Sequence, residues 1–168
     1  MFSTKIGILG GGQLGLMLLQ AAVDWNLDIF ILDPDKDAPC KNIAPHFSQG
    51  SLQDYDTVYN FGKNLDVITS EIEKVNIEAL EALAREGKRV YPQPEVIRTI
   101  QDKRLQKQFY IDHQLPTSPF VLTESKQDVQ AHVDFLPAFH KLGKDGYDGR
   151  GVQRIATATD LDKAFDAP

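Results

Sequence analysis

Apolar residues in this chain fall into short runs separated by helix-spaced stretches. Lys5–Gly10 reads as a buried strand, and Leu14, Met17, Leu18, Ala21, Ala22 and Trp25 share one apolar face of a following helix. Asp28–Asp33 is a second strand, with a loop marked by Pro34 and Pro39 after it. His46–Gln49 is a short strand and Tyr55–Phe61 a helix. Asp66–Thr69 is another strand, which delivers Ser70, Glu71, Ile72 and Glu73 at its carboxyl end. Asn76 can cap a helix whose Ile77, Leu80 and Leu83 repeat at helical spacing. Lys88–Tyr91 closes the series, stopped by Pro92 and Pro94. Strands alternating with helices through short connections predict a parallel sheet covered on both faces.

The pattern changes near residues 92–102. Pro94 can open a helix striped by Val96, Ile97 and Ile100, and Asp102 can start another with Leu105 and Phe109 facing inward. Leu115-Pro116-Thr117-Ser118-Pro119 is a stiff connector. Strands are expected at Phe120–Leu122, Pro137–Leu142 and Val152–Ile155, and helices at Ser125–Val133 and from Asp160 to Phe165. This gives an α/β chain of two parts, 1–95 and 96–168. The second part is short of strands for a secure sheet, so a truncated second domain is expected.

Composition narrows the function. A net charge of −6 argues against a general nucleic-acid binder. The single cysteine, Cys40, excludes an intrachain disulfide framework and fits a reducing compartment. The four histidines (His46, His113, His132 and His140) lack metal-ligand spacing, so no metal site is expected within the chain. No apolar run is long enough to span a membrane and no export leader is visible, which fits a cytoplasmic protein.

The segment Phe139–Val152 carries the most chemistry. A short strand delivers Lys141, and a loop with Gly146, Gly149 and Gly151 follows, carrying Tyr147, Asp148 and Arg150. Glycines let amides approach an anion, and lysine adds a point charge suited to phosphate. Gly10-Gly11-Gly12-Gln13-Leu14-Gly15 matches G-x-G-x-x-G after a strand, with Asp33 ending the next strand. It has three readings: a dinucleotide fingerprint, another phosphate or substrate contact through Gln13 and Leu14, or a tight turn that allows close packing. Glu71, beyond a strand's carboxyl end, can hold an amine or a ribose hydroxyl, or be a solvated loop acid. Lys103, Arg104 and Lys107 are either a solvated basic helix face or a reach toward a nucleotide phosphate.

Taken in order, Gly12-Gln13-Leu14-Gly15, Thr69-Ser70-Glu71-Ile72-Glu73, Asp102-Lys103-Arg104-Leu105-Gln106-Lys107-Gln108-Phe109, Leu115-Pro116-Thr117 and Gly146-Tyr147-Asp148-Gly149-Arg150-Gly151 resemble the 5-(carboxyamino)imidazole ribonucleotide synthetase family, ATP-grasp ligases of purine biosynthesis. The resemblance implies a Rossmann-like pre-ATP-grasp domain followed by the first part of an ATP-grasp domain. It implies that Lys103, Lys141 and Gly146–Val152 (Gly146, Tyr147, Asp148, Gly149, Arg150, Gly151 and Val152) bind ATP. Gln13, Leu14 and Glu71, with Tyr147, Asp148 and Arg150, would bind 5-aminoimidazole ribonucleotide, the last three also facing bicarbonate. Magnesium is implied too, with its acidic ligands expected beyond Pro168, and so is a homodimer.

Two departures accompany it. Asp145 stands where the family usually has another glycine, and the family chain is much longer, so this chain is expected not to turn over ATP alone. The alternatives are a nicotinamide-dinucleotide oxidoreductase domain, resting on Gly10–Gly15 and Asp33, and a noncatalytic nucleotide-binding module.

Overall fold

The computed structural model describes residues 4–144, 146 and 149–166. These fall into two compact units, 1–98 and 99–168.

The first unit is a five-stranded parallel sheet. Its strands are β1 (Lys5–Leu9), β2 (Asp28–Asp33), β3 (His46–Gln49), β4 (Val67–Ser70) and β5 (Arg89–Tyr91), in the order β3-β2-β1-β4-β5. Ile8 lies opposite Ile31 on one side and Thr69 on the other. Side chains alternate across the sheet, so β1 and β2 feed two cores. Leu9, Leu32, Ile68 and Val90 pack with α2 (Tyr55–Gly62) and α3 (Ile77–Arg85); Ile97 of α4 (Pro94–Gln101) joins them. Ile8, Ile29 and Ile31 pack with Leu19 and Ala22 of α1 (Gln13–Asp24) and with Cys40. Asp54 accepts the Thr57 amide at 2.8 Å, and Asn76 accepts that of Ala79 at 2.8 Å, so both starts anticipated near these helices are capped by side chains.

Helix α1 departs from its sequence pattern. Gly15, Leu19 and Ala22 are its buried residues, whereas Leu14, Met17, Leu18 and Trp25 are 57, 56, 44 and 79% exposed. The reason is Gly15. A Cβ there would stand 2.5 Å from the Gly10 carbonyl oxygen, so the helix rests on the strand end by its smallest residue. Of the expected face only Ala22 is buried, and its large apolar residues, Leu14, Met17, Leu18 and Trp25, are turned outward.

The second unit contains α5 (Lys103–Asp112), α6 (Lys126–Ala131) and an antiparallel pair, β6 (Ala138–Lys141) and β7 (Val152–Ile155). Two 3-10 turns, Val133–Phe135 and Ala158–Lys163, replace the end of one expected helix and the whole of another. The second begins where Asp160 accepts the amides of Ala156 and Thr157. Residues 120–122 form no strand, and among the described residues β6 and β7 pair only with each other. The core here is small: Val129, Ile155 and Ala164, flanked by Leu136 and Leu161. Helix α5 buries none of its residues, and Leu105 and Phe109, expected inward, are 48 and 41% exposed. Phe109 stacks on His113 instead, at 4.0 Å between ring centres. No described helix is long and apolar enough to cross a membrane.

Candidate functional site: two glycine-rich loops

The loop after β1 is electrostatically closed from within. Gly10 takes φ +105°, a turn that a side chain would strain. The Gly11 amide donates to Asp33 Oδ2 at 2.6 Å, and Asp33 Oδ1 accepts the Asp35 amide at 2.7 Å. Asp33 is only 9% exposed, so the acid of the apparent dinucleotide fingerprint is engaged by main-chain donors. Glu71 folds over the same turn: a Cβ on Gly10 would meet its Cγ at 2.5 Å, and the Gly12 amide donates to its carboxylate. Burial pushes the Glu71 carboxyl up; the Gly12 amide opposes this, and Asp33 and Glu73 reinforce it. Burial, then Asp33 and Glu71, push up the Cys40 thiol. Two carboxylates thus occupy amides that a pyrophosphate would need, and their charge repels it. A hydroxyl or amine donor suits this place better. Gln13 and Leu14 are exposed at the start of α1.

The second loop has the opposite balance. Lys103 begins α5; its amide donates to the Gly143 carbonyl at 2.8 Å, and its Nζ donates to the Gly146 carbonyl at 3.3 Å. Leu142 donates to the Gly151 carbonyl at 2.9 Å, drawing the two ends of the loop together. Gly149 and Gly151 take φ +80° and +71°, so both exploit the freedom of glycine. Lys141 ends β6, opposite Val152, and is exposed. Arg150 is exposed as well. Tyr147, Asp148 and Asp145 lie outside the described residues.

The neighbouring cations differ in their partners. Arg104 pairs with Asp102 at 2.7 Å, and Lys144 stands 4.0 Å from the same carboxylate. Lys107 donates to Thr117 Oγ1 and stands 5.0 Å from the Phe120 ring centre. Among the described residues, neither Lys103 nor Lys141 has a carboxylate within ion-pair distance. Both line a cavity of about 590 Å³ with Phe120, Leu136, Phe139 and His140. Burial pushes the His140 imidazole down, and its Nδ1 accepts the Phe165 amide at 3.3 Å. The cavity side of α5 is its polar side (Lys103, Gln106, Lys107 and Tyr110), not the Leu105–Phe109 stripe.

Sequence reading missed the Asp102–Arg104–Gly143 cluster. The Asp before a helix was a legible cap signal; the ion pair closing back onto a glycine forty residues later had no local signature.

A five-stranded parallel α/β unit with a glycine-rich first turn fits the profile of the ribonucleotide synthetase preATP-grasp domain, which matches residues 3–101. The chain belongs to that family. It is 32% identical over 169 residues to an N5-carboxyaminoimidazole ribonucleotide synthase of Staphylococcus epidermidis, with 98% of this chain and 44% of the relative covered. Its structure resembles the Staphylococcus aureus N5-carboxyaminoimidazole synthetase complexed with ADP (TM-score 0.87, 30% identity, 96% of this chain and 44% of that one). It also resembles the Aspergillus clavatus synthase in complex with ADP and 5-aminoimidazole ribonucleotide (TM-score 0.83, 32% identity, 99% and 45%). The chain therefore spans under half the length of these relatives.

Proposed function

We propose that the chain contributes the pre-ATP-grasp layer (1–95) and the first part of an ATP-grasp site (96–168) to a ligase that carboxylates 5-aminoimidazole ribonucleotide. The observation that carries this reading is the pair of lysines, Lys103 and Lys141, which line one cavity beside a glycine loop with no carboxylate to neutralise either among the described residues. Two cations at one cavity, Lys103 half-buried and Lys141 exposed, favour an anion there. The S. aureus relative complexed with ADP supports assigning a nucleotide to them.

In this reading the two lysines hold the ATP phosphates, and the amides of Gly146–Val152 cover them. ATP phosphorylates a bicarbonate oxygen, giving ADP and carboxyphosphate. The amine of the ribonucleotide then attacks the carboxyl carbon and displaces phosphate. The lysines offset charge on the transferring group. Gln13, Leu14 and Glu71 are assigned to the ribonucleotide, and Tyr147, Asp148 and Arg150 to the ribonucleotide and bicarbonate. Magnesium belongs to the reading as the nucleotide's counter-ion. Among the described residues, however, no three His, Cys, Asp or Glu side chains gather to hold a metal. The contribution proposed for this chain is binding and orientation, and it is expected to bind ATP without bicarbonate-dependent turnover. The outward stripe of α1 supports a homodimer formed through the first unit. A cytoplasmic setting fits this reading.

The test is calorimetric titration of the chain with magnesium-ATP and with NADH. ATP binding that weakens in Lys141→Ala, with no NADH binding, supports the proposal. NADH binding that depends on Asp33 would replace it with the dinucleotide reading, which the engaged Asp33 carboxylate disfavours.

A further inference from the structure

We propose that Asp102 is a positioning residue of the phosphate site, holding the Arg104 guanidinium against Gly143 and so fixing Lys103 and the start of the glycine loop. The inference rests on the nucleotide reading above.

Asp102 is 4% exposed in the most cationic stretch of its unit. Its Oδ1 accepts the Arg104 amide at 2.9 Å and Arg104 Nε at 3.0 Å; its Oδ2 accepts Nη2 at 2.7 Å. Capping α5 requires only the first of these bonds. The other two make a planar, two-point pair, which aims the guanidinium as a single contact would not. The plane lands on Gly143: a Cβ there would fall 2.7 Å from Arg104 Nε and 3.2 Å from Cζ. The Gly143 carbonyl in turn accepts the Lys103 amide at 2.8 Å, and Lys103 Nζ reaches Gly146. One buried carboxylate therefore sets the helix start, the loop start and the base of the lysine side chain. Its charge is consumed by Arg104 and Lys144, which keeps it from repelling a phosphate.

Positioning and plain electrostatics give opposite signs for Asp102→Asn. Asparagine caps a helix about as well as aspartate, so α5 is retained. Removing one negative charge near a polyphosphate tightens binding if charge alone matters. Loss of the guanidinium's seat weakens it, by about tenfold for one charge-assisted contact set adrift.

The experiment titrates the whole chain with magnesium-ATP and follows amide hydrogen exchange of Lys103 in parallel. The expected result is an ATP Kd raised about tenfold in Asp102→Asn, faster exchange at Lys103, and a thermal midpoint close to the parent's. Gly143→Ala, whose Cβ displaces the guanidinium, is expected to reproduce the defect, and Arg104→Lys, charged but not planar, not to cure it. ATP binding in Asp102→Asn equal to or tighter than the parent's would overturn the positioning role while leaving the nucleotide reading intact. Absence of ATP binding in the parent chain would overturn the nucleotide reading and this inference with it.

Discussion

The two glycine-rich loops are similar in composition and differ in the charges that the described residues place beside them. After β1, the amides of Gly11 and Gly12 are taken by Asp33 and Glu71, acids of the same unit. Beside the loop that joins β6 to β7, Lys103 of α5 and Lys141 at the end of β6 line one cavity with no acid to pair with among the described residues. A glycine motif by itself reports only that backbone can approach something closely. The neighbouring charges decide whether that something is the protein's own carboxylate or an incoming phosphate.

The largest effect is expected where a glycine serves packing. Gly15→Ala puts a Cβ 2.5 Å from the Gly10 carbonyl oxygen, main-chain atoms that cannot step aside. A loss of about 2 kcal/mol, seen as a thermal midpoint lower by roughly 10 °C, is expected for the first unit. An unchanged midpoint would mean that α1 does not rest on the strand end. Next come the lysines. Lys103→Ala or Lys141→Ala should weaken ATP binding between about tenfold and a hundredfold by calorimetry, and Asp33→Asn should leave it unaltered. Equal losses from all three would erase the distinction between the loops. Met17→Glu, on the outward stripe of α1, should shift a dimer toward monomer in sedimentation velocity without lowering the midpoint, because Met17 is 56% exposed.

The smallest effects are expected in pH dependence, and they differ in sign between the units. Burial raises the Glu71 carboxyl above its ordinary 4.5, so its charged form costs stability at neutral pH, a cost relieved as pH falls toward 4.5. Glu71→Gln should therefore stabilise the chain at neutral pH, with the gain gone below that value. Arg104 first, and its amide too, hold the Asp102 carboxyl below its ordinary 3.8. Its contribution is present above 3.8 and is lost as pH falls through its lower folded value. Asp102→Asn should cost no more than about 1 kcal/mol at neutral pH, because the Arg104 side chain is over a third exposed. Denaturation curves taken across both windows read the two signs.

Much of the first unit was legible in its periodicity. Each expected strand is present within a residue or two; the central β1 and β2 are apolar runs of the kind a sheet covered on both faces produces. The orientation of α1 was not legible: period alone favours the Leu14–Trp25 stripe, and only the close approach at Gly15 selects the other face. The second unit was read less well. Phe120–Leu122 has strand composition but no partner strand, and Leu105 and Phe109 have an apolar pattern but too small a core to receive them. At the candidate site, residue type pointed to Lys141, and the family resemblance added Lys103, which spacing alone left as one of three cations on a basic helix face; both line one cavity. The neutralisation of the first glycine loop by Asp33 and Glu71 and the seating of Arg104 on Gly143 depend on contacts between distant segments, which no local pattern encodes.

The most direct test is a magnesium-ATP titration of the nitrogen-15-labelled chain, followed by amide chemical shifts. The account expects the largest shifts at Lys103, Lys141 and Gly149–Val152, with Gly10–Gly15 unmoved. Shifts concentrated at Gly11–Leu14, with the second loop silent, would contradict it.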